Sequence, residues 1–380
     1  MTNVLRDRIV EIIRREGPIP FSRYMAMCLY EPELGYYARA CEQFGKAGDF
    51  YTSSDVHALF GRLMCRQFEQ MWRTLDFPKA IDLIELGPGR GLFALDVIDW
   101  ADKKFPEFAT ALRYRLVETS AWLRQRQSER LRQHVELGRA SIHAQFEEAS
   151  RQSGESVIVF GNEFFDALPV EVVDHRGSVR VALGPDGKFN ERFVQPSAEE
   201  LAYLNRNSIL PQDGGRVEAS LAAQDWMRNI SAVLAARRGF AVFVDYGFTQ
   251  DEQRAGRHHD TVMTYRQHTA SPDPYQAPGE QDITAHVNFT ALRNEAEARG
   301  LRHEGLLTQA AFLVGIGEPN DFADAFEGCV LPQERAKVAM QLKHLVTPAG
   351  IGEIFHVMVL SHGIEAEAAR RLAGIKYARS

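Results

Sequence analysis

Apolar residues recur along this chain in distinct rhythms, and each rhythm predicts a kind of element. Near the start, Leu5, Ile9, Ile12 and Ile13 follow helical spacing and run into Gly17-Pro18, which predicts an amphipathic helix that stops there. Ser22 stands where it would cap a short helix over Arg23 to Tyr30, and a longer apolar-periodic helix is expected from His57 to Trp72. Short unbroken apolar runs follow: Ile81 to Leu86, Tyr114 to Val117, Ala140 to Ala144, Val157 to Phe160 and Phe240 to Val244. With helical stretches at Phe93 to Trp100 and Trp122 to Leu131 between them, these runs read as parallel strands buried on both faces. Two late strands, Ala311 to Ile316 and Phe355 to Leu360, would complete a sheet of about seven.

Between Val170 and Gln195 the rhythm shortens and is broken at His175-Arg176-Gly177 and Gly184-Pro185-Asp186-Gly187, which predicts an antiparallel meander. Ser197 to Glu218 is expected as a polar loop, and Ala219 to Arg237 as a helix with Trp226 on its apolar side. Phe248 to Gln281 is too long for a plain connector and is expected as a flap or a dimer arm, while Asp282 to His286 should lead into a helix through Arg299. The predicted class is α/β: a doubly wound, mostly parallel seven-stranded sheet with an N-terminal helical region and an inserted β-meander and helical segment. The expected boundaries are 1–75 for the helical region, 76–169 and 239–380 for the two parts of the core, with the flap at 248–281, and 170–238 for the insertion.

Composition narrows the function classes. A hydrophobic content of 45% over 380 residues is ample for a large core. The net charge of -7 is mild for this size; it argues against a nucleic-acid partner, which needs a basic footprint, and leaves room for a cationic substrate. Cys28, Cys41, Cys65 and Cys329 show no C-x-x-C pairing and no histidine at ligand spacing, so neither a metal site nor a disulfide framework is expected. No apolar run approaches the roughly 18 residues of a membrane span, and Asp7, Glu11 and Glu16 among the first arginines fit neither a signal nor a transit peptide. A cytoplasmic setting is the default expectation, or the mitochondrial matrix in a eukaryote.

The candidate chemistry centres on I-D-L-I-E-L-G-P-G-R-G, residues 81–91. Gly87, Gly89 and Gly91 remove side chains where the backbone must bend and approach a ligand. A dinucleotide fingerprint fails because Leu92 stands three residues after Gly89. What remains is E-x-G-x-G-x-G with Glu85 at the strand end, the form found in class I methyltransferases that use S-adenosylmethionine. That ligand offers an ammonium and a carboxylate instead of a phosphate. A plain strand-to-helix turn is the competing reading. Glu118 ends the second strand, 27 residues after Gly91, where an acid can accept hydrogen bonds from ribose hydroxyls; a surface glutamate is its competing reading.

After the fourth strand comes Asn162-Glu163-Phe164-Phe165-Asp166. Glu163 and Asp166, with two phenylalanines between them, suit a guanidinium, which is planar, always charged and open to bidentate pairing. Asn162 begins an N-x-x-F tetrapeptide faintly like the [DN]-P-P-[FY] of adenine methyltransferases, but both prolines are missing. Asp245 ends another strand on the same rim, and Tyr246 is either a pocket wall or core. His286 is either a proton acceptor or a histidine satisfied at a helix start. The loop from Gly45 to Asp55 is either a lid or a linker.

Taken together, G-D-F-Y-T-S, I-E-L-G-P-G-R-G, N-E-F-F-D-A-L-P, V-D-Y-G-F, D-I-T-A-H-V-N-F and G-E-I-F-H-V-M-V-L resemble the MidA family in its own order from about Gly17 to Leu360. That family includes the mitochondrial complex I assembly factor with protein arginine methyltransferase activity. The resemblance implies a class I methyltransferase core with S-adenosylmethionine as cofactor and a protein arginine as methyl acceptor. It places Gly48, Asp49, Thr52 and Ser53 near the cofactor, beside Glu85, Gly87, Gly89, Glu118 and the Asn162-Glu163 pair; with Gly91 joined to the cofactor set by its place in the turn, Glu163, Asp166 and His286 are the catalytic candidates. A respiratory-complex subunit is the partner to expect on this basis, and a homodimer a possible assembly. Three segments depart from the family pattern: Thr52-Ser53-Ser54-Asp55 stands for T-S-P-E, His286-Val287-Asn288-Phe289 for H-V-D-F, and Thr261-Val262-Met263-Thr264-Tyr265 for T-L-R-x-Y. Methylation of a small molecule or nucleobase, and a non-catalytic assembly factor that binds the cofactor structurally, stand as alternatives.

Overall fold

A computed structural model of the chain describes residues 3–39, 58–211, 215–266 and 269–378. The chain forms two compact units. One, the sheet unit, takes Tyr51–Phe164, Asn229–Tyr246 and Ala296–Ser380; the other, the companion unit, takes Met1–Phe50, Phe165–Arg228 and Gly247–Glu295.

Among the described residues the central sheet has seven strands on its main path, with the short Val287–Asn288 beside the end of the fifth: β1 (Ile81–Leu86), β2 (Leu112–Val117), β3 (Ala140–His143), β4 (Ser156–Asn162), β5 (Arg238–Phe248), β6 (Arg302–Thr308) and β7 (Phe355–His362). They lie side by side in the order β3-β2-β1-β4-β5-β7-β6. Every pairing from β3 to β5 is parallel, and β7 runs antiparallel to both of its neighbours. The order reverses between β1 and β4, so a crevice is expected at the carboxyl ends of those two strands.

All six residues of β1 are buried, which is why its apolar run does not alternate. On one face of the sheet, helices α1 (Ala58–Thr74) and α2 (Leu92–Lys104) pack Leu63, Phe68, Phe93 and Val97 against Leu83, Ile158, Phe160 and Val242. Phe93 stacks on Phe160 at 4.6 Å with the rings inclined by 21°, and Phe68 meets Phe160 edge-on at 5.5 Å.

One predicted strand is a helix. Ala311 to Ile316 lies within Gln309–Gly317, a buried helix whose first turn is capped by Thr308, the hydroxyl accepting from the Ala311 N–H at 3.2 Å. Buried helix and buried strand look alike as apolar runs, and only the preceding Thr-Gln pair marks the difference. The strand actually used, β6, lies at the sheet edge and carries Arg302, His303 and Glu304, so its apolar signal is faint.

The companion unit contains helices Val4–Glu16 and Phe21–Tyr30 and an antiparallel sheet of Ile19–Pro20, Glu171–Asp174, Gly177–Leu183, Phe189–Val194 and Arg216–Ala219. Leu5, Ile9, Ile13, Phe21, Met25, Val172, Val181 and Ile283 form its core. The meander is present, but the expected polar loop after it is helix Ala198–Asn207, capped reciprocally by Ser197 and Glu200, followed by the strand Arg216–Ala219. Ser22 is not a cap: it lies in the first helical turn, behind Pro20, and its hydroxyl donates to Glu171. Asp282 does not enter a helix directly. Asp282–Thr284 is a strand paired with Met263–Arg266, Val287–Asn288 pairs with Gly247–Phe248, and the helix begins only at Phe289. Non-local pairing has overridden a helical pattern here. Among the described residues, no helix is long and apolar enough to cross a membrane.

The three-ring stack predicts its own weight. Phe160→Ala should lower stability by about 3–5 kcal/mol, the usual range for a buried phenylalanine, as a shift of the urea midpoint followed by circular dichroism. An unchanged midpoint would show that α1 and α2 hold the sheet without it.

Candidate functional site

The turn after β1 follows from its glycines. Gly87, Gly89 and Gly91 have φ of 63°, 50° and 71°, a left-handed conformation that costs other residues about 1 kcal/mol or more. Gly87 N–H donates to the Val117 carbonyl at 3.0 Å, which ties the turn to the end of β2. Gly91 is the N-cap of α2 and itself brings no side chain to the helix N–H groups at the positive end of the helix. A Cβ at Gly87 would lie 3.3 Å from the Phe164 ring, so the turn and the segment after β4 pack closely.

Two acids stand at this rim, and a third in the same strand shows what distinguishes them. Asp82, near the start of β1, is fully buried and satisfied: Arg115 Nε donates to it at 2.7 Å and Gly154 N–H at 2.7 Å. Glu85, one turn of the pleat from the rim, is equally buried, and its described partner is a hydroxyl, Tyr114 O–H, at 2.8 Å. Burial pushes the Glu85 carboxyl up to about 8; the Tyr114 bond pulls it down and the Glu118 charge pushes it further up. Glu118 accepts from Ser120 N–H at 2.9 Å, and burial raises it to about 7 against the pull of that N–H, of Arg124 and of the N–H groups of Thr119 and Gly89. Two carboxyls held near neutrality at adjacent strand ends would ionise readily against a cationic ligand.

The end of β4 is held in a strained shape. Glu163 has φ of 52°, uncommon for a residue with a side chain, and its N–H donates to the Val244 carbonyl at 2.9 Å. Asp245, 1% exposed, accepts from the N–H groups of Phe164 at 3.2 Å and Tyr246 at 3.0 Å, and so clamps the turn from the neighbouring strand. Asn162 donates to Glu163 Oε1 at 3.1 Å. Tyr246 packs edge-on against Phe355 at 5.6 Å.

The structure therefore brings Glu85, Gly87, Gly89, Gly91, Glu118, Asn162 and Glu163 together in the sheet unit. Asp166 and His286 belong to the companion unit, where the Asp166 carbonyl accepts from Ala285 N–H at 2.9 Å. Asp166 and Asp282 both raise the Tyr265 and Tyr37 hydroxyls, though burial is the larger cause for each, and Tyr37 O–H donates to Asp282 at 2.8 Å. Gly48, Asp49, Thr52 and Ser53 lie outside the described residues. Among those described, no group of three or more metal-ligating side chains occurs.

Three contributors were not singled out from the sequence. Tyr114 read as a strand residue, yet its hydroxyl is the described partner of Glu85. Gln127 sits in the helix expected over Trp122 to Leu131; it is fully buried, and its amide donates to the Gly89 carbonyl at 2.7 Å. Arg124 of the same helix donates to the Glu118 carbonyl at 2.9 Å. The tight spacing of Glu118 to this helix was the available signal. In charge and backbone freedom these residues fit S-adenosylmethionine: buried acids for cationic and hydroxyl groups, and uncapped helix N–H groups for a carboxylate.

Residues 63–307 match the family model described as an S-adenosyl-L-methionine-dependent methyltransferase. The chain is 29% identical to a Drosophila melanogaster protein named protein arginine methyltransferase NDUFAF7 homolog, mitochondrial, over 92% of this chain and 83% of that protein. The human protein arginine methyltransferase of the same name is 27% identical, over 100% of this chain and 87% of its own. A crystal structure from Burkholderia thailandensis, bound to S-adenosyl-homocysteine, is 31% identical and superposes with a TM-score of 0.82, covering 99% of this chain and 95% of that one.

The raised acids have a consequence for stability. Glu85 and Glu118 titrate higher folded than at the ordinary 4.5, so as pH rises the unfolded chain releases their protons first. Their contribution is intact below that value and is lost as pH climbs through about 7 and 8. The thermal midpoint of the ligand-free protein is expected to fall between pH 5 and pH 8, and Glu85→Gln should flatten the upper part of the fall. An equally steep fall in the variant would assign it to other groups, such as Glu218.

Proposed function

The chain belongs to this family of S-adenosyl-L-methionine-dependent methyltransferases, and from that membership we propose that it methylates an arginine side chain of a partner protein. The observation that carries the proposal is the strained turn at Glu163, a carboxylate beside an aromatic ring on the rim of the cofactor crevice. Strain of this kind persists only where surrounding structure over-determines it, here through Val244 and Asp245. The names of the fruit-fly and human relatives support the acceptor class.

When bound, S-adenosylmethionine supplies an electrophilic methyl group whose carbon–sulfur bond breaks with its electron pair left on sulfur. The chain's own residues have the remaining work. Glu85, Glu118, Asn162 and the turn at Gly87, Gly89 and Gly91 hold the cofactor, and the family pattern adds Gly48, Asp49, Thr52 and Ser53. Glu163 pairs with the guanidinium, drawing its charge away from the attacking nitrogen and aiming that nitrogen's lone pair. Asp166 and His286 belong to the companion unit; by side-chain chemistry alone Asp166, whose charge acts on Tyr265, is a second candidate carboxylate for a guanidinium and His286 a candidate proton acceptor. A respiratory-complex subunit as acceptor, a homodimeric assembly and a cytoplasmic or mitochondrial-matrix setting belong to the same reading.

Calorimetric titration with S-adenosylmethionine is expected to give micromolar binding that Gly89→Asp abolishes, because a side chain at φ of 50° strains the turn and an added charge faces Glu118. Glu163→Gln should bind the cofactor within about 3-fold of wild type yet transfer methyl to arginine at least about 100-fold more slowly, read by mass spectrometry of extract proteins from a deletion strain. Absence of binding by folded wild type would remove the cofactor assignment. Wild-type transfer by Glu163→Gln would remove Glu163 from the reaction.

A further inference from the structure

Helix α3 (Ala121–Arg130) follows β2 in the sheet unit and begins at Ser120, whose hydroxyl accepts from Leu123 N–H at 3.4 Å. Arg124, Gln127 and Arg130 recur at every third residue, which lines them up along one side of the helix. Each of them donates to the backbone of a rim turn. Arg124 reaches the Glu118 and Thr119 carbonyls at 2.9 Å and 2.7 Å, Gln127 the Gly89 carbonyl at 2.7 Å, and Arg130 the Arg90 carbonyl at 3.1 Å. The Gln127 amide has one sensible orientation, because a carbonyl only accepts and the amide nitrogen must face it. Gln127 is fully buried, and a Cβ at Gly91 would lie 3.2 Å from its Cγ, so the helix packs directly on the glycine turn.

The other carbonyls of the turn are engaged by the backbone itself. Pro88 accepts from Gly91 N–H at 2.8 Å, and Gly91 from Leu95 N–H at 3.3 Å. Every carbonyl from Pro88 to Gly91 therefore has a donor within the chain, and the two in the middle have theirs from α3. A carbonyl dipole that faces a donor has its negative end partly compensated, whereas an unmatched one repels an anion and attracts an ammonium. Glycine at φ of 50° leaves the peptide after Gly89 free to turn over at little cost, and the Gln127 bond holds it in one orientation.

We propose that helix α3 makes the glycine turn selective for a ligand that ends in a carboxylate, with Gln127 the positioning residue for Gly89 and Arg130 its counterpart at Arg90. This rests on the reading that the turn holds S-adenosylmethionine. The amino-acid end of that ligand carries two opposite charges, and the rim has a different answer to each. Buried Glu85 and Glu118 suit the ammonium. The compensated carbonyls, with the guanidiniums of Arg124 and Arg130 behind them, suit the carboxylate. Removal of a donor from α3 would leave a carbonyl dipole unmatched, which disfavours the carboxylate and leaves the ammonium unharmed.

Two ligands that differ only in the carboxylate separate this role from a general loosening of the turn. S-adenosyl-homocysteine carries both charged groups, and its decarboxylated analogue, S-adenosyl-3-thiopropylamine, keeps the adenosine and the amine. In calorimetric titrations near neutral pH the wild type should bind S-adenosyl-homocysteine at least about 10-fold more tightly than the amine. Gln127→Met, similar in length but without a donor, should bind S-adenosyl-homocysteine about 10-fold more weakly and the amine within about 3-fold of wild type. Arg130→Met, at an exposed position, should narrow the preference about 3- to 10-fold in the same direction, and it decides alone if Gln127→Met loses its cooperative thermal transition. A wild type without preference, or variants that weaken both ligands alike or leave the preference unchanged, would overturn the proposal. A folded wild type that binds neither ligand, or a Gly89→Asp protein that binds both normally, would overturn instead the reading on which it rests.

Discussion

Desolvation at the ends of a doubly buried strand is the constraint on which the sheet unit depends. β1 has no exposed face, so each polar group it carries must find a partner inside the protein or stay close to neutral. Asp82 takes the first course, with Arg115 and the Gly154 N–H on its two oxygens. Glu85 takes the second, with a tyrosine hydroxyl and a carboxyl raised to about 8. The same strand thus holds an acid paired with a guanidinium at one end and an acid bonded to a hydroxyl at the other. The difference lies in the partners, since both residues are equally hidden from water.

The glycine turn follows from the same constraint. The backbone must leave β1, expose helix N–H groups and pass within contact of Phe164 without side chains of its own. Gln127 and Arg124, from the helix after β2, anchor the carbonyls of Gly89 and Glu118, so the two strand ends and the turn move as one piece. At β4 the equivalent device is Asp245, one of whose oxygens accepts from Phe164 N–H just past Glu163 while the other accepts from Tyr246 N–H of its own strand, so that the turn with left-handed Glu163 is tied to β5. Preorganised groups of this kind do not have to rearrange when charge develops during a reaction.

Methyl transfer suits such an architecture because it needs little acid or base strength. Alignment, exclusion of water and a place for one weakly held proton are the main demands. The two units carry different kinds of group: buried acids and a glycine turn in one, and in the other a histidine pair and an acid–tyrosine cluster.

Much of this could be read from the chain alone. Unbroken apolar runs locate β1, β4 and β5 because strands buried on both faces need no alternation, and three glycines spaced by one residue have few purposes after such a strand. Glu85, Glu118 and Glu163 were found as strand-end acids because the strand ends themselves were visible. The edge strand β6 was hidden, since a strand with one wet edge tolerates charge, and the apolar run beside it proved to be a helix. Tyr114 and Gln127 were hidden for another reason: each acts on a residue distant in sequence, through a hydrogen bond whose partner periodicity cannot name. The sequence by itself determined the strands, the turn and the acids at its rim, because these rest on local pattern. Which acid pairs with a guanidinium and which only with a hydroxyl, only the tertiary structure decided, because that depends on what non-local folding brings within about 3 Å.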